Sequence, residues 1–470
     1  MNELSLLDSQ EIKNIHFIGI GGSSMNGLAS ILFNMGYNIT GSDQNHSKVI
    51  DKLKGMGIKV YIGHSGDNVN NADVVVYTAA ISKDNPELLR AKELGIPAIE
   101  RSTLLGIITK MHPVSIAVSG THGKTSTTSM ISMILLEEGL DPSIHIGGEL
   151  DAIGGGTRIG GNKYFVTEAC EYVDTFLKLY PYIAVILNIE ADHLDYFKDL
   201  NHVKNSFRKF ASQVQDSGFV IACADDSNVV DILEGLQQTI ITYGIKSENA
   251  MWRALDIEFD SNGRPSYKLV VNGKESGIVK LSVPGLHNVL NSLAAAAACN
   301  AVGCSMEAIM QGLLNYTGVH KRFEFKGTIN GVTVIDDYAH HPSEIKATLK
   351  TARKCSNAKI WCIFQPHTYS RAKNLINEFA LAFSDADAVI VSDIYAAREV
   401  DNGEIHSSTL AERIKDSCSE TLYISDFEEI TEYLRKNAKP GDMVITMGAG
   451  DICKVGELLL NSPACRSVNL

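Results

Sequence analysis

The segment SIAVSGTHGKTSTTSMISMIL, Ser115 to Leu135, restricts the fold more than any other part of this 470-residue chain. Five β-prone residues run into Gly120-Thr121-His122-Gly123-Lys124-Thr125, and a helix-compatible run follows. Strand, glycine loop and helix in that order gather unpaired backbone N–H groups and the positive end of a helix at one point, a cradle for phosphate. In the common loop GxxxxGK[ST] the lysine reaches the β- and γ-phosphates and the hydroxyl that follows binds Mg2+. Val118 stands where the first glycine of that pattern belongs, so the loop is a shorter variant. The expected ATP contacts are Gly120, Thr121, His122, Gly123, Lys124, Thr125 and Ser126. A glycine turn without chemistry is the competing reading.

The rest of the chain repeats the same grammar. Short apolar strands (IHFIGI, NITGSD, ADVVVYT) alternate with helical patterns in the first stretch, which predicts a parallel sheet. A second stretch opens at Met111-His112-Pro113 and carries YFVTEA, YIAVILNI, GFVIAC and QTIITYG as strands. SNGR and VNGK turns then mark hairpins, and an Ala-rich helix ends at Gly303. A third stretch alternates VTVIDDY, AKIWCIF, ADAVIVSDI, TLYI and DMVITMG with helices. The expected fold is α/β in three domains, 1–110, 111–317 and 318–470. The first is Rossmann-like and the second a phosphate-loop ATPase domain with a mixed sheet.

A second cradle lies in HFIGIGGSSMNGLAS, where Gly19, Gly21 and Ser24 hold the dinucleotide-fold spacing and Asp43 ends the next strand. Alone it suggests a nicotinamide-dependent dehydrogenase. Two phosphate sites in one chain fit better with an enzyme that brings ATP to a nucleotide-linked substrate. Glu168 ends one strand, and Glu190, Asp192 and His193 end another, where a parallel sheet exposes its ligand crevice. Glu168 is a sensible Mg2+ ligand and His193 a second, softer one. Asp192 and Asp195 are expected only as helix N-caps. In the third domain Asp336, Asp337, Tyr338, His340 and His341 cluster after a strand, as do His367, Tyr369 and Arg371, and Arg371 could clamp a carboxylate.

Net charge of −13 argues against a nucleic-acid partner. No apolar run reaches membrane-spanning length, the first residues are polar, and nine cysteines form no CxxC pair, so a reducing cytoplasm is the expected location.

The motifs GTHGKT, NIEADHLDYF, GLHNVLN, VIDDYAHHPSEI, FQPHTYSRAKNL and FIGIGGSSMNGLA occur in this order, and the chain in this respect resembles the Mur ligases. That resemblance implies a UDP-substrate domain, a central ATPase domain and a Rossmann-like C-terminal domain carrying part of an amino-acid site. It implies an ATP-dependent ligase, with Mg2+, that joins L-alanine to the lactyl carboxylate of UDP-N-acetylmuramate. Lys124, Glu168, His193 and Arg371 are its implied catalytic residues, and Thr125, Glu168 and His193 its implied metal ligands. Asn288 would hold adenine and Arg322 would reach ATP. Gly21, Gly22, Ser42, Asp43 and His64 would contact the uridine diphosphate. Tyr338, His367 and Arg371 would surround the amino acid. A family member that attaches a preformed peptide, the dehydrogenase, and a sensor binding UDP-sugar and ATP without turnover remain as rivals.

Overall fold

The computed structural model of the chain describes residues 6–7, 12–194, 196–397 and 399–461. Strands β1 (Asn14–Ile18), β2 (Asn38–Asp43), β3 (Lys59–Ile62), β4 (Val74–Tyr77) and β5 (Ala98–Glu100) form a parallel sheet in the order β3-β2-β1-β4-β5. The apolar runs of β1 and β4 take its middle, where a parallel strand is covered on both faces. Strand order reverses at β1, which sets the ligand crevice at the carboxyl ends of these strands.

The second sheet has ten strands: β6 (Val114–Ser119), β7 (Ser143–Leu150), β8 (Gly155–Arg158), β9 (Tyr164–Glu168), β10 (Ile183–Ile186), β11 (Phe219–Cys223), β12 (Thr239–Gly244), β13 (Trp252–Phe259), β14 (Pro265–Val271) and β15 (Lys274–Lys280). Their order is β15-β14-β13-β12-β11-β10-β6-β9-β7-β8. It is mixed, as expected, since β7 runs parallel to β9 and antiparallel to β8. The VNGK turn joins β14 to β15 with Asn272 and Gly273 both at positive φ, 50° and 75°, the signature of a type I′ hairpin turn.

The third sheet holds β16 (Glu324–Ile329), β17 (Val332–Asp337), β18 (Ile360–Phe364), β19 (Ala388–Val391), β20 (Thr421–Tyr423) and β21 (Met443–Met447), in the order β16-β17-β21-β18-β19-β20. All its pairings are parallel except β16 with β17.

By compactness the chain divides in two, and the division passes among the strands β13 to β15. One unit holds the residues up to Ala254 with Leu269–Gly277 and Leu290–Leu313; the other holds Leu255–Lys268, Ile278–Val289 and everything from Leu314 on. Within the first unit the two α/β stretches share one apolar core: Ile15, Phe17, Leu104 and Ile108 belong to the same cluster as Phe165, Phe176 and Phe210. The helix Arg101–Met111 is the seam, buried over eight consecutive residues. Gly106 lets it close, because a Cβ there would lie 2.0 Å from the Lys178 carbonyl oxygen. Alanine is favoured over glycine in a helix interior by about 1 kcal/mol. Gly106→Ala should nevertheless destabilise the protein by about 1–3 kcal/mol in denaturant unfolding, because the clash is with backbone. A gain in stability would disprove the seam.

Candidate active site

The phosphate loop is held open by glycine and pinned from the next strand. Gly120 (φ 144°) and Gly123 (φ 84°) adopt backbone conformations that other residues avoid. A Cβ on Gly120 would meet Leu187 Cβ at 2.9 Å, and one on Gly123 would meet Asn291 Oδ1 at 2.7 Å. β10 lies beside β6, so the segment after β10 grips the loop. Asn188 Oδ1 accepts from His122 N–H at 2.8 Å, and Asn188 Nδ2 donates to the His122 carbonyl at 3.1 Å. Thr121 N–H donates to the Asn188 carbonyl at 3.1 Å, and Thr121 Oγ1 accepts from Glu190 N–H at 2.9 Å.

Lys124 opens the helix Lys124–Glu137, with Thr125 and Ser126 in the same first turn. Its ammonium donates to the carbonyls of Gly120 and of Thr121 (3.1 Å) and to both carboxylate oxygens of Glu171, at 3.1 and 3.0 Å. Burial alone would push its pKa down, but Glu171 outweighs that and holds it above the ordinary lysine value. Lys124 therefore stays a cation in a site only 17% exposed.

Register brings the expected metal ligands to the same edge. β6 lies between β9 and β10, pairing Val118 with Glu168 and Ser119 with Ile186. Glu168 Oε1 accepts from Gly147 N–H at 2.6 Å. His193, at φ 54°, packs its ring 4.6 Å from that of Tyr172. Among the described residues Asp192 caps no helix; the N-cap downstream is Asp199, which accepts from His202 N–H. Asp195 lies outside the described residues.

At the first sheet, Gly21 N–H donates to Asp43 Oδ2 at 2.9 Å, and a Cβ on Gly21 would sit 2.8 Å from that oxygen. Gly22 is the N-cap of the helix Ser23–Asn34. Ser42 is fully buried and its hydroxyl donates to Glu87 Oε2 at 2.6 Å, so it braces the site from beneath instead of facing a ligand. His64 Nδ1 meets the same oxygen at 2.9 Å, Asn68 Nδ2 donates to Glu87 Oε1 at 2.6 Å, and His16 Nε2 lies 3.5 Å from it. Burial alone would raise Glu87, yet His16, Ser42 and Asn68 hold its pKa down to about 2.

In the second unit, Arg322 lies over the Tyr338 ring (5.1 Å), Tyr338 contacts His340 (5.4 Å), and His340 contacts His367 (5.7 Å). Arg371 Nη1 sits 3.3 Å from His367 Nδ1. Asp337 braces this group by accepting from Phe323 N–H at 2.7 Å and from Ala339 N–H at 2.8 Å; burial pushes its pKa up to about 6 despite Arg322. His341 is the N-cap of the helix Pro342–Cys355, in a capping box with Glu344. Asn288 Nδ2 donates to the Pro284 carbonyl at 2.8 Å. Its neighbour His287 is pushed down to about 4 by burial and then by Arg322. The expected adenine and amino-acid residues thus share one unit, and the phosphate-loop and UDP residues share the other.

Three family models match consecutive segments: Mur ligase family, catalytic domain, over residues 14–112; Mur ligase middle domain over 118–299; and Mur ligase, glutamate ligase domain, over 321–450. The chain is 59% identical over 460 residues to the UDP-N-acetylmuramate--L-alanine ligase of Acetivibrio thermocellus, covering 98% of each. The chain belongs to the Mur ligase family. This Mur ligase is also 52% identical over 454 residues to the UDP-N-acetylmuramate--L-alanine ligase of Caldanaerobacter subterraneus subsp. tengcongensis, covering 97% of this chain and 98% of that one. Among solved structures it is similar to the UDP-N-acetylmuramate-alanine ligase of Thermotoga maritima (TM-score 0.78, 29% identity, 95% and 98% coverage). A murein peptide ligase from Psychrobacter arcticus matches at TM-score 0.69 and 25% identity, covering 97% and 100%. The three-domain Mur ligase fold is therefore the fold of this chain.

Sequence reasoning missed Glu171 and Asn188 in this Mur ligase. Glu171 lies three residues past Glu168, the last residue of β9, and Asn188 two residues ahead of Glu190. Asn188→Ala should weaken ATP binding about tenfold in calorimetry, by freeing the loop backbone, with UDP-sugar affinity unchanged. Because the folded pKa of Glu87 is depressed, its contribution to stability is complete above its ordinary value of 4.5 and lost as pH falls through about 2. Glu87→Gln should flatten that acid limb of an unfolding profile. An unchanged limb would remove Glu87 from the account.

Proposed function

We propose that this chain is an ATP-dependent ligase that joins L-alanine to the lactyl carboxylate of UDP-N-acetylmuramate, releasing ADP and phosphate. The observation that carries the reading is the 59% identity, across the whole chain, to a UDP-N-acetylmuramate--L-alanine ligase. A dehydrogenase would have no use for the second nucleotide loop. A peptide-attaching ligase is the nearer rival, but two such ligases among the similar solved structures are 25% and 30% identical, against 59% and 52% for the alanine enzymes of Acetivibrio thermocellus and Caldanaerobacter subterraneus. Among the described residues no helix is long and apolar enough to cross a membrane.

A carboxylate resists attack by an amine because oxide would have to leave. One carboxylate oxygen therefore attacks the γ-phosphorus, ADP departs, and an acyl phosphate forms. The amine of alanine then adds to the acyl carbon, and the tetrahedral intermediate expels phosphate. The first step presses two anions together. Lys124 and the loop N–H groups, already positioned, offset that repulsion where it develops. Gly21, Gly22, Asp43 and His64 hold the uridine diphosphate, with Ser42 acting through His64 and Glu87. Asn288 and Arg322 take the nucleotide, while Tyr338, His367 and Arg371 receive the amino acid, Arg371 by its carboxylate. The domains divide at 1–110, 111–317 and 318–470 in this reading.

Mg2+ fits the donors present. A hard cation takes oxygen ligands, and the Thr125 hydroxyl in the first turn of the helix after β6 and the Glu168 carboxylate at the end of the adjoining β9 offer them, with His193 on the segment after β10. Bound there, the ion would supply charge stabilisation to the phosphates.

Phosphate release should require ATP, UDP-N-acetylmuramate and alanine together, and a tripeptide acceptor should not replace alanine. Lys124→Ala should lower turnover by about a hundredfold or more while leaving UDP-N-acetylmuramate binding intact. Equal loss of both would contradict the separation of the two cradles.

A further inference from the structure

Arg101 is the first residue of the helix Arg101–Met111, directly after β5 at the carboxyl edge of the first sheet. Its Nη1 donates to Ser24 Oγ at 3.1 Å, its one hydrogen bond among the described residues. Ser24 stands in the first turn of the helix that follows the Gly19–Gly22 loop. Ser24 Oγ also meets His145 Nε2 at 2.8 Å, and His145 Nδ1 meets Thr157 Oγ1 at 3.1 Å. The direction of this chain follows from chemistry. A guanidinium only donates, so the serine oxygen accepts from Arg101 and sends its own proton to His145 Nε2. Burial, and then Arg101 itself, push His145 down to about 4, so the ring is neutral at pH 7 and donates from Nδ1 to Thr157. Gly27 makes room for the chain: a Cβ there would fall 2.2 Å from Thr157 Oγ1.

Among the described residues, four of the five guanidinium N–H donors are left over, and no carboxylate accepts from them. The neighbouring Glu100 is paired with Lys178 at 2.7 Å. Burial holds the Arg101 pKa below the ordinary arginine value, a cost that the neighbouring Glu100 charge offsets only in part, though the side chain stays charged. A part-buried charge held in place without a partner is costly, and an anionic ligand removes that cost. The surroundings suit one. Through Ser24 the guanidinium is tied to the first turn of the helix that follows the Gly19–Gly22 loop, the ground expected for the sugar nucleotide.

We propose that Arg101, oriented by the Ser24–His145–Thr157 chain, is a substrate-binding residue that takes an oxyanion of the sugar nucleotide, either the diphosphate or the lactyl carboxylate. The inference rests on the function proposed above. It is tested by calorimetric titration of the full chain and its Arg101→Met, Arg101→Lys and Ser24→Ala variants with UDP-N-acetylmuramate, UDP-N-acetylglucosamine and ATP. Arg101→Met should bind UDP-N-acetylmuramate about ten- to a hundredfold more weakly. ATP affinity should stay unchanged. UDP-N-acetylglucosamine has the diphosphate but no carboxylate: parallel weakening assigns Arg101 to the diphosphate, and unchanged binding assigns it to the carboxylate. Sugar-nucleotide affinity equal to the unsubstituted chain, or a matching fall in ATP affinity, overturns the proposal. Should Arg101→Met fail to fold, unchanged affinity in both Arg101→Lys and Ser24→Ala overturns it. If the unsubstituted chain itself does not bind UDP-N-acetylmuramate, the proposed function falls instead.

Discussion

The chemistry depends on keeping one ammonium charged where water is scarce. Desolvation disfavours the cationic form of Lys124, and in an apolar pocket the side chain would shed its proton. The paired oxygens of Glu171, at 3.1 and 3.0 Å, reverse that preference. The same carboxylate and two loop carbonyls hold the ammonium against the loop it serves. A phosphate arriving there meets a charge already in place and donors that need little reorganisation, the condition under which electrostatic catalysis is strongest.

Parallel-sheet geometry carries this local arrangement outward. β9, β6 and β10 end side by side, so a carboxylate, the phosphate loop and the clamp of Asn188 reach one edge without a long loop between them. The first sheet repeats the device at Gly21 and Asp43, with a buried carboxylate, Glu87, bracing His64 from below. Because the two stretches share a core across the helix Arg101–Met111, both cradles sit in one compact unit. An acyl-transfer enzyme with an unstable phosphorylated intermediate gains from such fixed placement, since small errors in approach cost large factors in rate.

Much of this was legible in the chain itself. The loop Gly120–Thr125 and the Gly19–Gly22 turn announce themselves because glycine at positive φ and a following helix leave a pattern along the sequence. The long apolar strands did so too, whereas β3, β5, β7, β8 and β16 are short, polar or at sheet edges and carry little periodicity. The identities of Asn288, Arg322 and His64 came from resemblance, since nothing in their local sequence distinguishes them. Ser42 is a ligand contact by resemblance, yet its side chain turns into the buried network of Glu87. Glu171, Asn188 and Arg101 act through partners 47, 66 and 77 positions away in the chain. No window of sequence reveals such pairings; only the folded register does.

The central claim, that the sugar nucleotide's carboxylate is phosphorylated at the loop of Lys124, is tested most directly by following oxygen. UDP-N-acetylmuramate labelled with 18O in both carboxylate oxygens should, on ligation to alanine, give inorganic phosphate carrying one labelled oxygen and an amide carrying the other. Release of unlabelled phosphate during full ligation would contradict the account.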